Sequence, residues 1–269
     1  MASWWTISVP AERRSIDLNA DVGEATDDAG TETERALLLL VSSAHIACGG
    51  HAGDDESMRA IVRAALDAGV RVGAHPSYPD RAGFGRRPMV MAASDLASSL
   101  AGQIGALIDV AAPLGAGVCS VKPHGALYGE VAGDEGTFDA LLGVVVELCG
   151  PDTSLVLPAG APAVSWARKA GVTVLEEGFA DRAYTADGAL MARQQPGSVY
   201  GDPERAAAQA VGLAVRGTVA AADGTTLTLP VDTLCLHGDS PNALAMARAV
   251  RDALGAAGLA VAAPPAHRP

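Results

Sequence analysis

Four of the six histidines in this chain stand at the end of a short apolar run, beside a glycine, a proline or an acid. The segments are Ala47-Cys48-Gly49-Gly50-His51-Ala52-Gly53-Asp54, Val72-Gly73-Ala74-His75-Pro76, Val121-Lys122-Pro123-His124-Gly125 and Leu234-Cys235-Leu236-His237-Gly238-Asp239. Each apolar run reads as a buried strand. Residues just past the carboxyl ends of parallel strands converge on one rim, where α/β barrels keep their chemistry. A lone histidine in such a place is commonly a half-buried, hydrogen-bonded side chain; four in the same context point to a site. The first run ends Asp17-Leu18-Asn19-Ala20-Asp21-Val22-Gly23-Glu24, and the two-residue period of a strand puts Asp17, Asn19 and Asp21 on one face. Two carboxylates and an amide in a barrel mouth can hold a divalent cation, orient a water, or share a proton as acid and base. The alternative for Asp21 and Glu24 is to cap the following helix.

Further polar groups lie in loops. His75-Pro76-Ser77-Tyr78-Pro79-Asp80 and Gly83-Phe84-Gly85-Arg86-Arg87 form a loop too long for a simple connector. Its paired arginines suit a carboxylate or phosphate, as does Arg182 in Gly178-Phe179-Ala180-Asp181-Arg182-Ala183-Tyr184; the alternative is a salt bridge with Asp80 or Asp181. Cys48, Cys119, Cys149 and Cys235 show no C-x-x-C pairing, so disulfides are not expected. Cys48, three residues before His51, is a nucleophile candidate only if its pKa is lowered. G-x-S-x-G, H-E-x-x-H, the P-loop and a strand-linked G-x-G-x-x-G are all missing, which disfavours serine hydrolases of the elbow type, zincins, P-loop nucleotidases and dinucleotide-dependent oxidoreductases.

The elements that must position these groups alternate. Strand-like runs near Ser15–Asn19, His45–Cys48, Arg71–His75, Gly117–Lys122, Ser154–Leu157, Val172–Glu176 and Thr233–His237 are separated by helical patterns long enough for crossovers, which means a parallel sheet. Seven strands rather than eight suggest a distorted barrel. Thr31-x-x-Glu34 reads as a capping box, Asp54 as a helix start, and Asp202-Pro203 and Ser240-Pro241 as helices with proline in first position; Gly69 and Gly171 close helices. A hairpin insertion is expected at about 218–230 and a frayed tail at 262–269, with His267 structureless. One barrel domain over 1–269 suits the 269-residue length and 49% hydrophobic content. The net charge of −12 argues against a nucleic-acid partner. Only Lys122 and Lys169 are lysines. No secretory signal and no membrane span are expected, and the cytoplasm is the default location.

Taken together, these segments resemble the LamB/YcsF-like family, the A subunits of 5-oxoprolinases. The resemblance runs in order through Ile16–Glu24, His51–Asp54, Gly73–Pro76 with Gly83–Arg87, Lys122-Pro123-His124-Gly125-Ala126-Leu127-Tyr128, Phe179–Tyr184 and His237-Gly238-Asp239, and covers about residues 14 to 260. It implies a distorted seven-stranded, TIM-like (β/α)7 barrel similar to polysaccharide deacetylases and glycoside hydrolases. It also implies ATP-dependent opening of the lactam 5-oxoproline to glutamate beside two partner subunits, of B and C type, with ATP used by the complex. This chain departs from the family pattern at His45 (usually asparagine), Gly50 (phenylalanine), Ala20 (often cysteine) and Ser240 (threonine).

Under that resemblance, Asp21 and His51 are expected to activate water, Lys122 and His124 to polarise the carbonyl oxygen, and His75 and His237 to orient or protonate the nitrogen. Arg86 or Arg182 would hold the substrate carboxylate, with Asp17, Asn19 and Asp239 as further substrate-binding residues. The chief rival is a metal-dependent amidohydrolase or deacetylase with Asp21, His51 and His75 as ligands. A third reading is a non-catalytic protein that only binds and presents substrate within the complex.

Overall fold

The computed structural model describes residues 14–150, 152–238 and 242–264. Its strands are β1 (Ser15–Val22), β2 (Ser43–Ala47), β3 (Arg71–His75), β4 (Ser120–Val121), β5 (Ser154–Pro158), β6 (Val174–Phe179), β7 (Thr218–Ala220), β8 (Thr226–Thr228), β9 (Thr233–His237) and β10 (Ala260–Val261). The helices are α1 (Asp28–Leu38), α2 (Asp55–Asp67), α3 (Ala93–Ala111), α4 (Gly125–Gly133), α5 (Glu135–Cys149), α6 (Pro162–Lys169), α7 (Pro203–Val211) and α8 (Ala243–Ala256). Strands β1-β2-β3-β4-β5-β6-β9 pair in parallel in that order, and β9 pairs back onto β1 to close a seven-stranded barrel. The pair β7–β8 is a separate antiparallel ribbon.

Strand β1 is the seam. Its first residues pair with β10 (Ser15↔Ala260, Ile16↔Val261), its middle with β9 (Asp17↔Thr233 to Asp21↔His237) and its end with β2 (Asn19↔Ser43 to Val22↔Ile46). The short β10 is not legible beforehand, because two residues carry no periodicity. Alternation along β1 sends Leu18, Ala20 and Val22 into the fully buried apolar core under the helices, and Asp17, Asn19 and Asp21 into the barrel.

Local signals explain most helix ends. Asp54 caps α2 in a reciprocal box: its carboxylate accepts from the Ser57 N–H and Ser57 Oγ accepts from the Asp54 N–H, both at 2.9 Å. Asp202 caps α7 ahead of Pro203. The expected Thr31/Glu34 box does not form. Asp27 caps α1 instead, accepting from the Gly30 N–H, while Glu34 turns back to accept from the Glu24 and Ala25 N–H groups at 2.8 and 3.0 Å. Glu34 therefore anchors the turn that carries Glu24. Ser240-Pro241 and His267 lie outside the described residues. Helix α3 with the turn after it is apolar and long enough, by length and composition, to cross a membrane, yet it packs on α2 and α5 and buries Leu96, Leu100, Ile104 and Leu107.

Inside the barrel the usual apolar filling is replaced by polar layers. At the amino-terminal floor, Asp17 accepts hydroxyl hydrogen bonds from Ser42 and Ser43 at 2.7 Å and from Thr233 at 2.6 Å. One layer up, Asn19 Nδ2 donates to Glu177 and Thr233, and Asn19 Oδ1 accepts from Lys122 Nζ and from His45 Nδ1, each at 3.1 Å. His45 closes the layer with Ser120 Oγ, 3.1 Å from its Nε2. Gly73 makes the room: a Cβ there would lie 2.6 Å from the His45 ring and 2.4 Å from Ser120 Oγ.

Candidate active site

At the carboxyl ends of the strands a cavity of about 320 Å³ opens, and Asp21, Glu24, His75, Arg86, Lys122, His124, Tyr128, Phe179, Arg182, Arg193 and His237 are among the residues that line it. This volume suits a small molecule. Each strand tip contributes by its position in register: Asp21 pairs with His237 across β1–β9, and β3 ends at His75.

Lys122, 2% exposed, sits beneath the cavity. Its Nζ lies 2.8 Å from Asp21 Oδ1 in an ion pair rather than a directed hydrogen bond, and 2.9 Å from Glu177 Oε1, 3.1 Å from Asn19 Oδ1 and 3.2 Å from Cys235 Sγ. Three ammonium hydrogens are thus shared among four acceptors of the barrel interior. Lys122, expected to polarise the carbonyl, here pairs with the buried carboxylates of Asp21 and Glu177. Burial opposes charging Lys122, but Asp21, Cys235 and Glu177 hold it well above the ordinary lysine value. Burial likewise opposes ionising Asp21, yet His75 and Lys122 hold it well below the usual carboxylate range. Tyr128 completes the layer by donating to Glu177 Oε2 at 2.6 Å.

The histidines form two groups. His237 Nδ1 lies 3.0 Å from both oxygens of Asp181, which also accepts the His237 N–H. A carboxylate can only accept, so Nδ1 carries the proton and Nε2 is the basic nitrogen of the ring. Phe179 stacks on this imidazole at 5.7 Å. The Asp181 carboxyl, fully buried, is raised by desolvation but held lower overall by His237.

The second group is His51, His75 and His124 with Glu24. His51 and His124 stack in parallel with ring centres 3.7 Å apart, and His75 stands edge-on to both. His51 Nε2 is 2.8 Å from Glu24 Oε1. Burial and the neighbouring His75 push the pKa of His51 down to about 2 and that of His124 to about 3, so both rings are neutral. Burial also opposes a charge on His75, but Asp21 carries it above the ordinary imidazole value. The loop after β3 is shaped around this group. Phe84 adopts a left-handed backbone (φ 54°), a strained conformation for a residue with a side chain, and its carbonyl accepts from His124 Nε2 at 2.9 Å. Gly85 (φ 62°) must lack a side chain, since a Cβ would press on His124, His51 and Ser77 at 3.0–3.1 Å.

A scan of family models matches residues 16–268 of this chain to the LamB/YcsF family. The chain belongs to that family. It is 48% identical over 252 residues to the A subunit of 5-oxoprolinase from Methylococcus capsulatus, covering 93% of this chain and 96% of that relative. Among solved structures it is similar to a lactam utilization protein from Thermus thermophilus, with a TM-score of 0.86 and 42% identity over 93% of this chain and 100% of the other. The carbohydrate-esterase (Xyl-CE4) domain of a multidomain xylanase from the hindgut metagenome of Trinervitermes trinervoides shares the fold, with a TM-score of 0.51 and 12% identity over 93% of this chain and 87% of that one.

In this LamB/YcsF member the cavity brings together Asp21, His75, Lys122, His124, His237, Arg86 and Arg182 of the expected site residues. His51 lies behind His124, against Glu24. Asp17 and Asn19 do not reach the cavity, because the floor and middle layers consume their polar atoms. Asp239 lies outside the described residues. His124 presents no ring N–H to the cavity, since Nε2 is bound to Phe84 O and Nδ1 faces His75 Nε2 at 3.0 Å. Arg182 donates Nε to Ser198 O and a terminal nitrogen to Met191 O, so it holds the loop over the cavity. Arg87 is clamped by Asp80, while Arg86 lies over the Phe84 ring at 4.8 Å. Cys48 is no nucleophile: burial pushes its thiol up to about 12. Of the expected Asp21/His51/His75 ligand set, His51 and His75 converge with Glu24 and His124, while Asp21, whose Oδ2 is 3.4 Å from His75 Nε2, groups with Cys235 and His237. Glu24, Glu177, Asp181 and Arg193 are the residues sequence reasoning missed as site members. Only Glu24 and Asp181 carried a signal, being adjacent to motif residues. Gly50 has no room for a side chain, because a Cβ would lie 2.3 Å from Gln103 Oε1.

Proposed function

We infer that this chain is the A subunit of a 5-oxoprolinase, a hydrolase that opens the cyclic amide of 5-oxoproline to glutamate. The observation that carries this is near-complete coverage at 48% identity with a curated relative of that name, together with a small cavity lined by acids, histidines and arginines. The relatives are named as subunits. We therefore propose partner subunits of B and C type, ATP hydrolysis in the assembled complex, and a cytoplasmic location. Ring opening needs an activated carbonyl, a positioned water and a proton for the leaving nitrogen. Attack of water on the carbonyl carbon forms a C–O bond and breaks the C–N bond, and ATP is consumed to ADP and phosphate with a second water.

The residues divide this work. Asp21, held ionised at the cavity wall, accepts the proton of the attacking water. The His237–Asp181 pair delivers a proton from Nε2 to the nitrogen once His237 is charged. Arg86 and Arg193 supply the positive charge for the substrate carboxylate. The chain carries no phosphate-cradling glycine motif, so activation of the carbonyl by phosphorylation is assigned to a partner. The deciding experiment is an assay of glutamate and ADP together, first with the isolated chain and then with both partners added. Turnover only in the complex supports this division; coupled turnover by the chain alone overturns it.

A further inference from the structure

The hydrogen bonds around His75 and His124 fix both tautomers. A backbone carbonyl can only accept, so His124 carries its ring proton on Nε2, facing Phe84 O at 2.9 Å, and His75 carries its own on Nδ1, facing Lys122 O at 2.7 Å. With His75 neutral, the remaining nitrogens, His124 Nδ1 and His75 Nε2, present lone pairs to each other across 3.0 Å, and His75 Nε2 also faces Asp21 Oδ2 at 3.4 Å. Two acceptors at that separation repel unless something positive lies between them. A third acceptor faces the same point: Glu24 Oε1 is 3.4 Å from His124 Nδ1 and 3.9 Å from His75 Nε2. The fourth ring nitrogen is His51 Nε2, 2.8 Å from Glu24 Oε1; it carries the proton when it faces the carboxylate and becomes a ligand when that proton moves to Nδ1.

A proton on His75 Nε2 would satisfy one of these contacts; a metal ion satisfies all of them. The ligand atoms of the four residues lie within 4.8 Å of one another. A tetrahedron with metal–ligand bonds of about 2.0–2.1 Å has edges of roughly 3.3 Å, in the middle of the separations seen here. The carbonyls of Phe84 and Lys122 are the outer partners that orient ligating imidazoles. His51 Nδ1 is buried without a hydrogen-bond partner, so nothing on that side commits its proton. Three imidazoles and a carboxylate are a ligand set for zinc or a similar divalent transition metal rather than for magnesium or calcium, which prefer oxygen.

We propose that Glu24, His51, His75 and His124 bind one divalent transition-metal ion at the wall of the cavity. Glu24, His75 and His124 also line the cavity, so the ion meets whatever occupies it. Four protein ligands fill a tetrahedron, so the bound ion holds the cavity wall together, and it would polarise a substrate carbonyl oxygen only by taking it as a fifth ligand. The site does not depend on the lactam being the substrate, and its test reads metal rather than turnover.

The untagged full chain, stripped with a chelator and dialysed, is titrated with Zn2+ by calorimetry, and its metal content is measured after gel filtration. One ion per chain is expected. Glu24→Gln and His51→Ala should each weaken binding at least about tenfold. Co2+ replaces Zn2+ as a second probe independent of any variant: strong visible absorption typical of four-coordinate cobalt is expected from the parent protein. Failure of the parent to retain either ion, weak six-coordinate cobalt absorption, or Glu24→Gln and His51→Ala variants that bind like the parent would each overturn the proposal.

Discussion

Lys122 Nζ lies 2.8 Å from Asp21 Oδ1 and 2.9 Å from Glu177 Oε1, so one buried cation compensates two buried carboxylates. Lys122→Met leaves both without their counter-charge in a medium that solvates them poorly. A stability loss of about 3–5 kcal/mol is expected, measured by urea titration of the purified chain. A loss below about 1 kcal/mol would show that the two carboxylates find other compensation.

Asp181 and His237 predict both a pH effect and a rate effect. Asp181 is depressed in the fold, so the stability it contributes is present above its unfolded value of about 3.9 and is lost as the pH falls through the lower folded value. Asp181→Asn should therefore flatten the acid limb of the stability profile below about pH 4, read from denaturation midpoints across pH. The same change offers an amide where a carboxylate fixed the His237 tautomer, and turnover of the complex should fall by roughly 10²–10⁴-fold. An unchanged rate would remove His237 from the proton path.

The arginines at the cavity separate by what they touch. Arg193→Ala should raise KM for 5-oxoproline about tenfold or more, as expected for loss of a charge-assisted contact to a carboxylate. Arg182→Ala frees the carbonyls of Met191 and Ser198 and should instead expose the 183–199 loop to limited proteolysis. Equal effects of both variants on KM would contradict this assignment.

Thiol labelling gives a fourth check. Cys119 is exposed, whereas Cys48 and Cys235 are buried and Cys48 has its thiol pushed up to about 12. Iodoacetamide at pH 8 should modify Cys119 in the native chain and spare Cys48 and Cys235 until denaturant is added, as peptide mass mapping will report. Rapid native modification of Cys48 would reopen its candidacy as a nucleophile.

The barrel was legible because β2, β3, β4 and β9 are apolar runs ended by a polar tip and the other strands keep the same spacing between helices, and that signal is local. The vertical level of a residue within the barrel was not legible. Asp17, Asn19 and Asp21 share one face by the two-residue period, yet Asp17 is saturated by Ser42, Ser43 and Thr233 on the floor and only Asp21 reaches the cavity. Alternation reports the face and says nothing of depth, which is set by shear between strands. The partners of Lys122 and His124 were not legible for the same reason, since they include residues as distant in sequence as Glu177 and Phe84. Glu24 looked like a helix cap because acids often open helices; the helix took Asp27 instead, and Glu34 pinned the turn so that Glu24 faces His51.

The seam at β1 bears on how the chain is made. Asp17 leaves the ribosome 216 residues ahead of Thr233, the partner that closes the wall beside it. Until then the first strand of the nascent chain has an unpaired edge on that side and carries acids destined for the interior. Closure of the wall, and with it the meeting of Asp21 with His237, is therefore among the last events of synthesis. A pause or truncation before β9 should leave a chain with most of its helices and an open sheet, a form prone to associate through its edges.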